Sequence, residues 1–230
     1  MNQIPDKNDS NAMKSMFNDI AKDYDFLNNV MTFFLQKSIK RISTRSLKFN
    51  HGNILDLCTG TGDIAIMLAQ KYPTAKITAL DFSPEMLKIA SRKAKNYDID
   101  FIDGNAMNMP FQDNSFDLCT ISFGLRNLPN INSALNEIFR VLKKDGEILI
   151  LDLGKPTLKW LYPLILDKVI PQLGKIFHKN KFPYQYLVES QRDYPSPQKL
   201  AKLLQSEGFT NIKIRNFLFG TISALTAKKS

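Results

Sequence analysis

Two glycines and an acidic residue lie at the ends of two predicted strands, where residues that bind a ligand are expected. The apolar run 53–57 predicts a strand, and a turn containing Gly60 and Gly62 follows it. Glycine lets a backbone approach a ligand closely, and the N-terminus of the helix after such a turn favours a carboxylate. Asp81 ends the next predicted strand, where an acid can accept hydrogen bonds from both hydroxyls of a ribose. The pair indicates a nucleoside site, although the glycines alone are also compatible with a plain tight turn.

Other residues narrow the class of ligand. The turn lacks the third glycine of a dinucleotide-binding loop, because Ala65 stands in its place, and this disfavours a pyrophosphate. A nucleoside without phosphates, such as S-adenosylmethionine, fits better. Asn105 and Ala106 follow the third predicted strand, where a side-chain amide and a backbone N–H can hold an adenine ring. Ser122 ends the fourth strand, beside the expected reactive end of the cofactor.

Strands and helices must alternate to bring these residues together. Alternating patterns predict strands at 53–57, 76–81, 100–102, 115–122 and 147–153, with helices at 63–71, from Ser83 to about 95, and at 132–142. A Lys-Lys-Asp-Gly turn, residues 143–146, is expected to close the last of these helices. A further helix at 196–207 and two strands at 210–217 and 221–227 complete the pattern. This order predicts an α/β fold with a Rossmann-like, doubly wound, mostly parallel seven-stranded sheet.

We interpret the chain as a single domain with additions to that sheet. Residues 1–12 are polar and predict a mobile tail, and an apolar stripe over 13–50 predicts a helical lid ahead of the core at 51–154. Residues 155–193 break the alternation and predict an inserted cap. Residues 194–230 supply the last helix and strand pair.

Several segments in this order resemble a known family. They are KSMFNDIAKDYDFLNN, LDLCTGTGD, LDFSPEML, GNAMNMPFQDNSFD, ISFGLRN, RVLKKDGEILILDLGKP and YQYLVESQRDYPSP. Together they resemble the class I methyltransferases, and specifically the UbiE/MenG family of quinone C-methyltransferases. The resemblance covers nearly the whole chain after residue 12. It departs from the family pattern at Gln36 and Ile39, where a His and a Trp are usual, and at residues 143–146 and 152–154.

The resemblance implies a cofactor, a reaction and a set of contacts. The cofactor is S-adenosylmethionine, and the implied contacts are Thr61, Asp81, Asn105, Ala106 and Ser122. The implied reaction is methylation of a ring carbon of demethylmenaquinol, which gives menaquinol. Methylation of the ubiquinone precursor 2-methoxy-6-polyprenyl-1,4-benzoquinol is the alternative within the family.

Two residues just beyond the fourth strand are the catalytic candidates. A quinol carbon becomes nucleophilic when a ring hydroxyl, with a pKa near 10, ionises. We expect the Arg126 guanidinium to stabilise that phenolate and Asn127 to orient the ring oxygen. The alternative for Arg126 is an ion pair with an acid such as Asp23 or Asp25. Tyr24 and Asp25 either line the lid over the substrate or are ordinary helix-face residues.

Composition and charge limit the kinds of partner that are expected. The net charge of +9 favours an anionic partner, so we expect peripheral contact with the inner face of the cytoplasmic membrane, although a merely soluble basic protein has the same charge. No apolar run reaches the length of a membrane span. The predicted cap contains an apolar segment, Trp160 and residues 161–166, together with several lysines. This composition suits contact with a polyprenyl tail or with the bilayer edge. The alternative is that the segment packs on the domain or forms a homodimer contact.

The remaining chemistry-bearing residues suggest no second site. Cys58 and Cys119 lie in apolar runs and are expected to be buried, reduced thiols in a cytoplasmic protein. His51 and His178 lie outside any motif and are expected at the surface, and no Cys/His spacing indicates a metal.

Three other functions are alternatives to the quinol methyltransferase. A nucleic-acid methyltransferase fits the charge but not the Ser-Phe-Gly-Leu-Arg-Asn run after the fourth strand, so no nucleic-acid partner is expected. The others are a membrane-docking protein that binds S-adenosylmethionine without turnover, and a methyltransferase of a soluble phenolic or sterol substrate.

Overall fold

The computed structural model of the chain describes residues 5–32, 34–49, 51–156, 186, 190–191 and 194–230. Three helices precede the first strand: α1 (Ser10–Ile20), α2 (Tyr24–Met31) and α3 (Gln36–Arg45). The core then runs β1 (Asn53–Leu57), α4 (Asp63–Lys71), β2 (Lys76–Asp81), α5 (Pro84–Lys93), β3 (Ile99–Asp103), β4 (Phe116–Ser122), α6 (Ile131–Val141) and β5 (Leu142–Leu153). After the cap come α7 (Pro197–Ser206), β6 (Phe209–Phe217) and β7 (Ile222–Lys229).

These strands form one seven-stranded sheet in the order β3-β2-β1-β4-β5-β7-β6. β1 to β5 pair in parallel, and β7 is antiparallel to both β5 and β6. The chain turns back between β1 and β4, and in such sheets the crevice outside the strand ends at this switch point binds ligands. The predicted doubly wound, mostly parallel sheet is therefore confirmed.

Apolar residues on both faces of the sheet hold the helices in place. One face packs against α6 and α7 through Leu135, Ile138 and Leu204, which are fully buried. The other packs against α3 and α4 through Ile39 and Leu68. The central strands are apolar on both sides because both faces are covered.

Side-chain caps fix where the helices begin. The Ser83 hydroxyl accepts a hydrogen bond from the Met86 N–H at 3.3 Å, with Pro84 at the first position of α5. Asn130 caps α6 by accepting from the Ser133 N–H at 3.1 Å, and Asp9 caps α1. Because α1 begins at Ser10, residues 10–12 belong to a helix and not to the expected tail.

The lid consists of three separate helices, whereas the apolar stripe predicted one continuous helical pattern. The Thr32 hydroxyl binds the Asn28 carbonyl at 2.7 Å, and Phe34 takes a left-handed φ of 60° before α3 starts. A side chain that competes for backbone carbonyls, followed by left-handed backbone, ends a helix. Periodicity alone does not detect such an interruption.

The turn expected at residues 143–146 is wrong, since these residues belong to β5. They form an irregularity in its pairing with β4, where Phe116 opposes Leu142 and Leu118 opposes Glu147. Asp145 has a φ of 62°, and the Lys143 ammonium binds Asp117 at 2.8 Å. The extra residues therefore bulge while the strand continues past them.

Candidate active site

A cavity of about 280 Å³ lies at the carboxyl ends of β1, β2 and β4. We call it the main cavity. α1, which ends in the Phe17–Ile20 stretch, covers it from the lid, and the Phe17 ring packs edge-on against Phe82 at 5.7 Å between centroids. Its lining includes Met13, Phe17, Tyr24, Gly60, Asp81, Phe82, Gly104, Asn105, Ala106, Met107, Phe123 and Asn127. Its walls are thus largely apolar, with a few polar groups directed inward, as is usual for a small-molecule site.

Asp81 is the polar anchor of the main cavity. The carboxylate accepts hydrogen bonds from the Gly60 N–H at 2.8 Å and the Ser83 N–H at 2.9 Å, and it is 5% exposed. Burial raises its pKa to about 6, although the backbone N–H groups of Ser83, Gly60 and Phe82 oppose the rise. Each carboxylate oxygen can accept more than one hydrogen bond, so the ionised group can still receive hydroxyls from a ligand.

The residues expected to hold adenine lie beside Asp81. Asn105 and Ala106 line the main cavity directly after β3. The Asn105 side-chain oxygen accepts from the Met107 N–H at 2.9 Å, which fixes the side chain in a tight turn. Gly104 leaves no room for a side chain, since an added Cβ would lie 2.8 Å from the Leu80 Cδ1. The turn therefore presents its polar edge to the cavity.

A smaller polar cavity adjoins the main one. Its lining includes Lys40, Asp56, Thr59, Thr61 and Ser122, with Tyr24, Cys58 and Phe123 shared with the main cavity. Burial raises the pKa of Asp56 to about 6, even though the hydroxyls of Thr59 and Thr120 each donate to it at 2.6 Å. The Ser122 hydroxyl is buried with no partner among the described residues, so it is a polar group left for a ligand.

Thr61 connects the glycine turn to the lid. Its hydroxyl donates to the Asp25 carboxylate of α2 at 2.5 Å, and the Lys93 ammonium binds the same carboxylate at 2.9 Å. Lys93 also pairs with Asp63, which Lys40 of α3 approaches at 3.1 Å. α2 and α3 are thus attached to the turn by charge. Asp25 belongs to this network and Tyr24 to the cavity lining.

Gly62 faces away from both cavities. It has a φ of 82°, and an added Cβ would lie 3.0 Å from the Ala90 Cβ of α5. Its geometry serves the close packing of α4 against α5. Of the seven residues expected at the cofactor, Gly60, Asp81, Asn105 and Ala106 line the main cavity, while Thr61 and Ser122 line the polar one.

Arg126 lies behind the main cavity, in a buried ion pair. Its guanidinium binds Asp152 at 2.8 Å and the Phe123 carbonyl at 2.8 Å, and it is 4% exposed. Burial opposes its charge, but Asp152 and Tyr24 raise its pKa, so it remains a cation. The alternative of an ion pair is correct, but the acid is Asp152 and neither Asp23 nor Asp25. The Arg126 Nε has no partner among the described residues.

Asn127 lines the main cavity next to this pair. Its amide nitrogen donates to the Phe123 carbonyl at 3.2 Å, and its oxygen accepts from the Tyr186 hydroxyl at 3.1 Å. Burial raises the pKa of both Tyr24 and Tyr186, although Arg126 lowers each, so both remain phenols at neutral pH. Asn127 and Tyr24 thus line the main cavity, and the buried Arg126 cation lies close to both.

Sequence reasoning missed Tyr186 and the part played by Asp152. Tyr186 comes from the segment expected to form a cap, and its ring packs edge-on against Phe17 at 6.4 Å between centroids. Asp152 is the last residue but one of β5, at a position where the sequence departs from the family pattern, and that acid was the available signal. Trp160, residues 161–166 and His178 lie outside the described residues. His51 is exposed, as expected.

The cysteines differ from each other. Cys119 is fully buried in β4, as expected. Cys58 is only half-buried, because it takes a φ of 50° as the chain leaves β1 and so lines both cavities. Burial raises the pKa of both thiols well above the ordinary range, so neither is a ready nucleophile.

Comparison with known proteins identifies the family of the chain. The model of the ubiE/COQ5 methyltransferase family matches residues 5–229. A demethylmenaquinone methyltransferase of Staphylococcus aureus (strain JH9) is 38% identical over 211 residues, covering 89% of this chain and 88% of that protein.

Two solved structures share the fold. A SAM-dependent methyltransferase of Thermotoga maritima, described as a possible histamine N-methyltransferase, aligns with a TM-score of 0.69 at 19% identity, over 95% of this chain and 100% of that one. A phosphoethanolamine N-methyltransferase 2 of Haemonchus contortus, in complex with S-adenosylhomocysteine, aligns with a TM-score of 0.63 at 15% identity, over 89% and 56%.

Proposed function

The chain belongs to the ubiE/COQ5 methyltransferase family and is a SAM-dependent methyltransferase, and from that premise we propose that it methylates a ring carbon of demethylmenaquinol. The observation that carries the proposal is the meeting of two environments in one cavity. Asp81 and the Asn105–Ala106 turn suit a nucleoside, and the end lined by Asn127, with the Arg126 cation buried behind it, suits a ring oxygen.

The two cavities fit the cofactor. The buried Asp81 carboxylate suits a ribose and the turn at Asn105 suits adenine. The Ser122 hydroxyl in the polar cavity, which has no partner among the described residues, suits the methionyl end. When bound, S-adenosylmethionine supplies an electrophilic methyl group. The protein has to orient the quinol and favour its ionised form.

Arg126 and Asn127 are the residues we propose for that task. A buried cation favours a phenolate over a phenol, because charge interactions are stronger where water is excluded. Asn127 is held by Phe123 and Tyr186, which supports a fixed orientation of its side chain toward the ring oxygen in this proposal. Since Asp152 already neutralises part of the Arg126 charge, the Tyr24 hydroxyl, which lines the main cavity, would add a hydrogen bond to the phenolate, while the Tyr186 hydroxyl donates to Asn127.

Transfer of labelled methyl from S-adenosylmethionine to reduced demethylmenaquinone in detergent tests the function. We expect label in the reduced lipid and none in the oxidised quinone, because only the quinol can ionise to a carbon nucleophile. Absence of transfer despite measured cofactor binding would contradict the proposal. The ubiquinone precursor would then be assayed first, and soluble phenols after it.

The substrate also bears on where the enzyme works. A polyprenyl tail keeps a quinol in the bilayer, so we propose peripheral contact with the cytoplasmic membrane. Within the described residues, no helix has the length and apolarity needed to cross a bilayer.

A further inference from the structure

The outer face of α3 carries a stripe of cations. Lys37, Arg41 and Arg45 are spaced four residues apart, so they lie along one side of the helix, and all three are exposed. The opposite side, which includes Ile39 and Lys40, is buried against the core. None of the three exposed cations has an ion-pair partner among the residues that the structure describes. Their charge is therefore available to a partner.

Exposed apolar residues stand at the start of this stripe. Phe34 is 67% exposed and Leu35 is 41% exposed, and Ile42, within the stripe, is 38% exposed. Phe34 also has a φ of 60°, which is unfavourable for a bulky residue. A strained backbone that presents an aromatic ring to solvent is a feature that folding alone does not require.

No acidic residue offsets these cations locally. Between Asp25 and Asp56 the chain contains no Asp or Glu, whereas it contains Lys37, Lys40, Arg41, Arg45 and Lys48. The surface continues into a groove of about 580 Å³ between the end of α3 and the β6–β7 edge of the sheet. Lys48, Lys213, Arg215 and Lys228 line that groove, with Glu147 as its acid.

The orientation of α3 places the apolar end near the candidate active site. Lys40 binds Asp63 at 3.1 Å, at the start of α4 beside the glycine turn. At the far end of α4, the Lys71 ammonium donates to the Thr44 carbonyl at 2.9 Å. The two helices thus run side by side in the same direction, and Phe34 and Leu35 lie at the edge of the sheet where the cavities open.

We propose that the surface formed by Phe34, Leu35, Lys37, Arg41 and Arg45 docks the enzyme on an anionic phospholipid bilayer. Cations attract the lipid phosphates, and each Lys or Arg near such a surface adds to the attraction. The apolar residues enter the boundary between head groups and acyl chains, which a nucleic acid does not offer. The proposal rests on the proposed function, because a lipid-tailed substrate gives the cavity a reason to face a membrane.

Co-sedimentation of the full chain with lipid vesicles tests the docking. The vesicles are equimolar phosphatidylglycerol and phosphatidylcholine, with phosphatidylcholine alone as the neutral comparison. We expect the triple variant Lys37→Gln, Arg41→Gln, Arg45→Gln to bind the anionic vesicles at least about tenfold more weakly than the unmodified chain. Phe34→Asn with Leu35→Gln should also weaken binding, and asparagine tolerates the left-handed backbone.

A matched control has the same loss of charge elsewhere. Arg92, Lys95 and Lys202 are exposed on α5, after α5 and on α7, and their replacement by Gln should leave vesicle binding unchanged. Unaltered S-adenosylhomocysteine affinity in every variant would establish that the variants fold. Equal weakening in the triple variant and its control would overturn the proposal, as would equal binding to neutral and anionic vesicles. Loss of binding to duplex RNA in parallel with loss of vesicle binding would replace the lipid with a nucleic acid.

A second assay tests the proposed function independently of the docking surface. Methyl transfer to a short-tailed, water-soluble demethylmenaquinol without vesicles should proceed in the triple variant at the rate of the unmodified chain. No transfer in either would count against the quinol substrate while leaving the vesicle result to judge the docking surface by itself.

Discussion

Arg126 and Asp152 are the buried charges on which the proposed chemistry depends. Removing one partner of a buried ion pair leaves the other charge without compensation, which costs about 3–5 kcal/mol. Asp152 also accepts hydrogen bonds from the backbone N–H groups of Arg126 and Leu153. The pair therefore has a structural role, and any test of catalysis by Arg126 must separate the two.

We predict that Arg126→Ala lowers both the free energy of unfolding, by about 3–5 kcal/mol, and turnover, by at least about tenfold. Adding Asp152→Asn removes the unpaired carboxylate and keeps an acceptor oxygen, so the double variant should recover much of the stability. Its turnover should stay low, because the cation proposed to stabilise the phenolate is still absent. Urea unfolding and steady-state kinetics give the two quantities, and a turnover that recovers with stability would make Arg126 purely structural.

The raised pKa of Asp81 predicts that ligand affinity depends on pH. Its pKa is raised to about 6 by burial, so the carboxyl is ionised above that pH and protonated below it. A protonated carboxyl loses acceptor capacity for ribose hydroxyls. Affinity for S-adenosylhomocysteine should thus fall by up to about tenfold per pH unit as the pH drops below about 6.

Calorimetric measurement of S-adenosylhomocysteine affinity above and below about pH 6 checks this prediction, with two variants as controls. Asp81→Asn should bind weakly at every pH, with no change near 6. Asp56→Asn should retain the dependence, even though the pKa of Asp56 is also raised to about 6. If removing Asp56 instead of Asp81 abolishes the dependence, the ribose assignment is wrong.

At the scale of elements, the junction of α4 with α5 depends on one glycine. Gly62 begins α4 with a left-handed φ and packs directly on Ala90. We predict that Gly62→Ala costs more than about 1 kcal/mol of unfolding free energy, because both the backbone and the contact become unfavourable. Ala90→Gly makes room, so the double variant should be more stable than the sum of the two single effects. Strict additivity in denaturant titrations would show that the contact contributes nothing.

Element boundaries show where sequence patterns were sufficient. β1, α4 and β2 agree with prediction at both ends, because apolar runs, a glycine turn and a terminal acid mark them locally. The lid and the start of β5 do not. Their breaks depend on the Thr32 side chain and on the pairing of β5 with β4 across Lys143 and Asp117, neither of which has a periodic signature.

At the scale of the whole molecule, charge and topology act together. The parallel sheet brings the ends of β1, β2 and β4 to one edge, and α3 begins near that edge and carries its cationic face along the side of the domain. The net charge of +9 is therefore unevenly distributed, since the stretch between Asp25 and Asp56, which has no acidic residue, begins beside the candidate active site. Docking through that face would bring the cavity to the surface from which a lipid-tailed substrate leaves.

The sequence by itself determined the fold class, the family and the positions of Asp81, Asn105 and Ser122, because all of these are encoded by residues close together in the chain. Tertiary structure alone decided that Arg126 pairs with Asp152, that Tyr186 holds Asn127 and that Asp25 binds Thr61. Each of these contacts joins residues more than 20 positions apart. Such partners are selected by burial and by the geometry of the assembled sheet and lid, which no local pattern records.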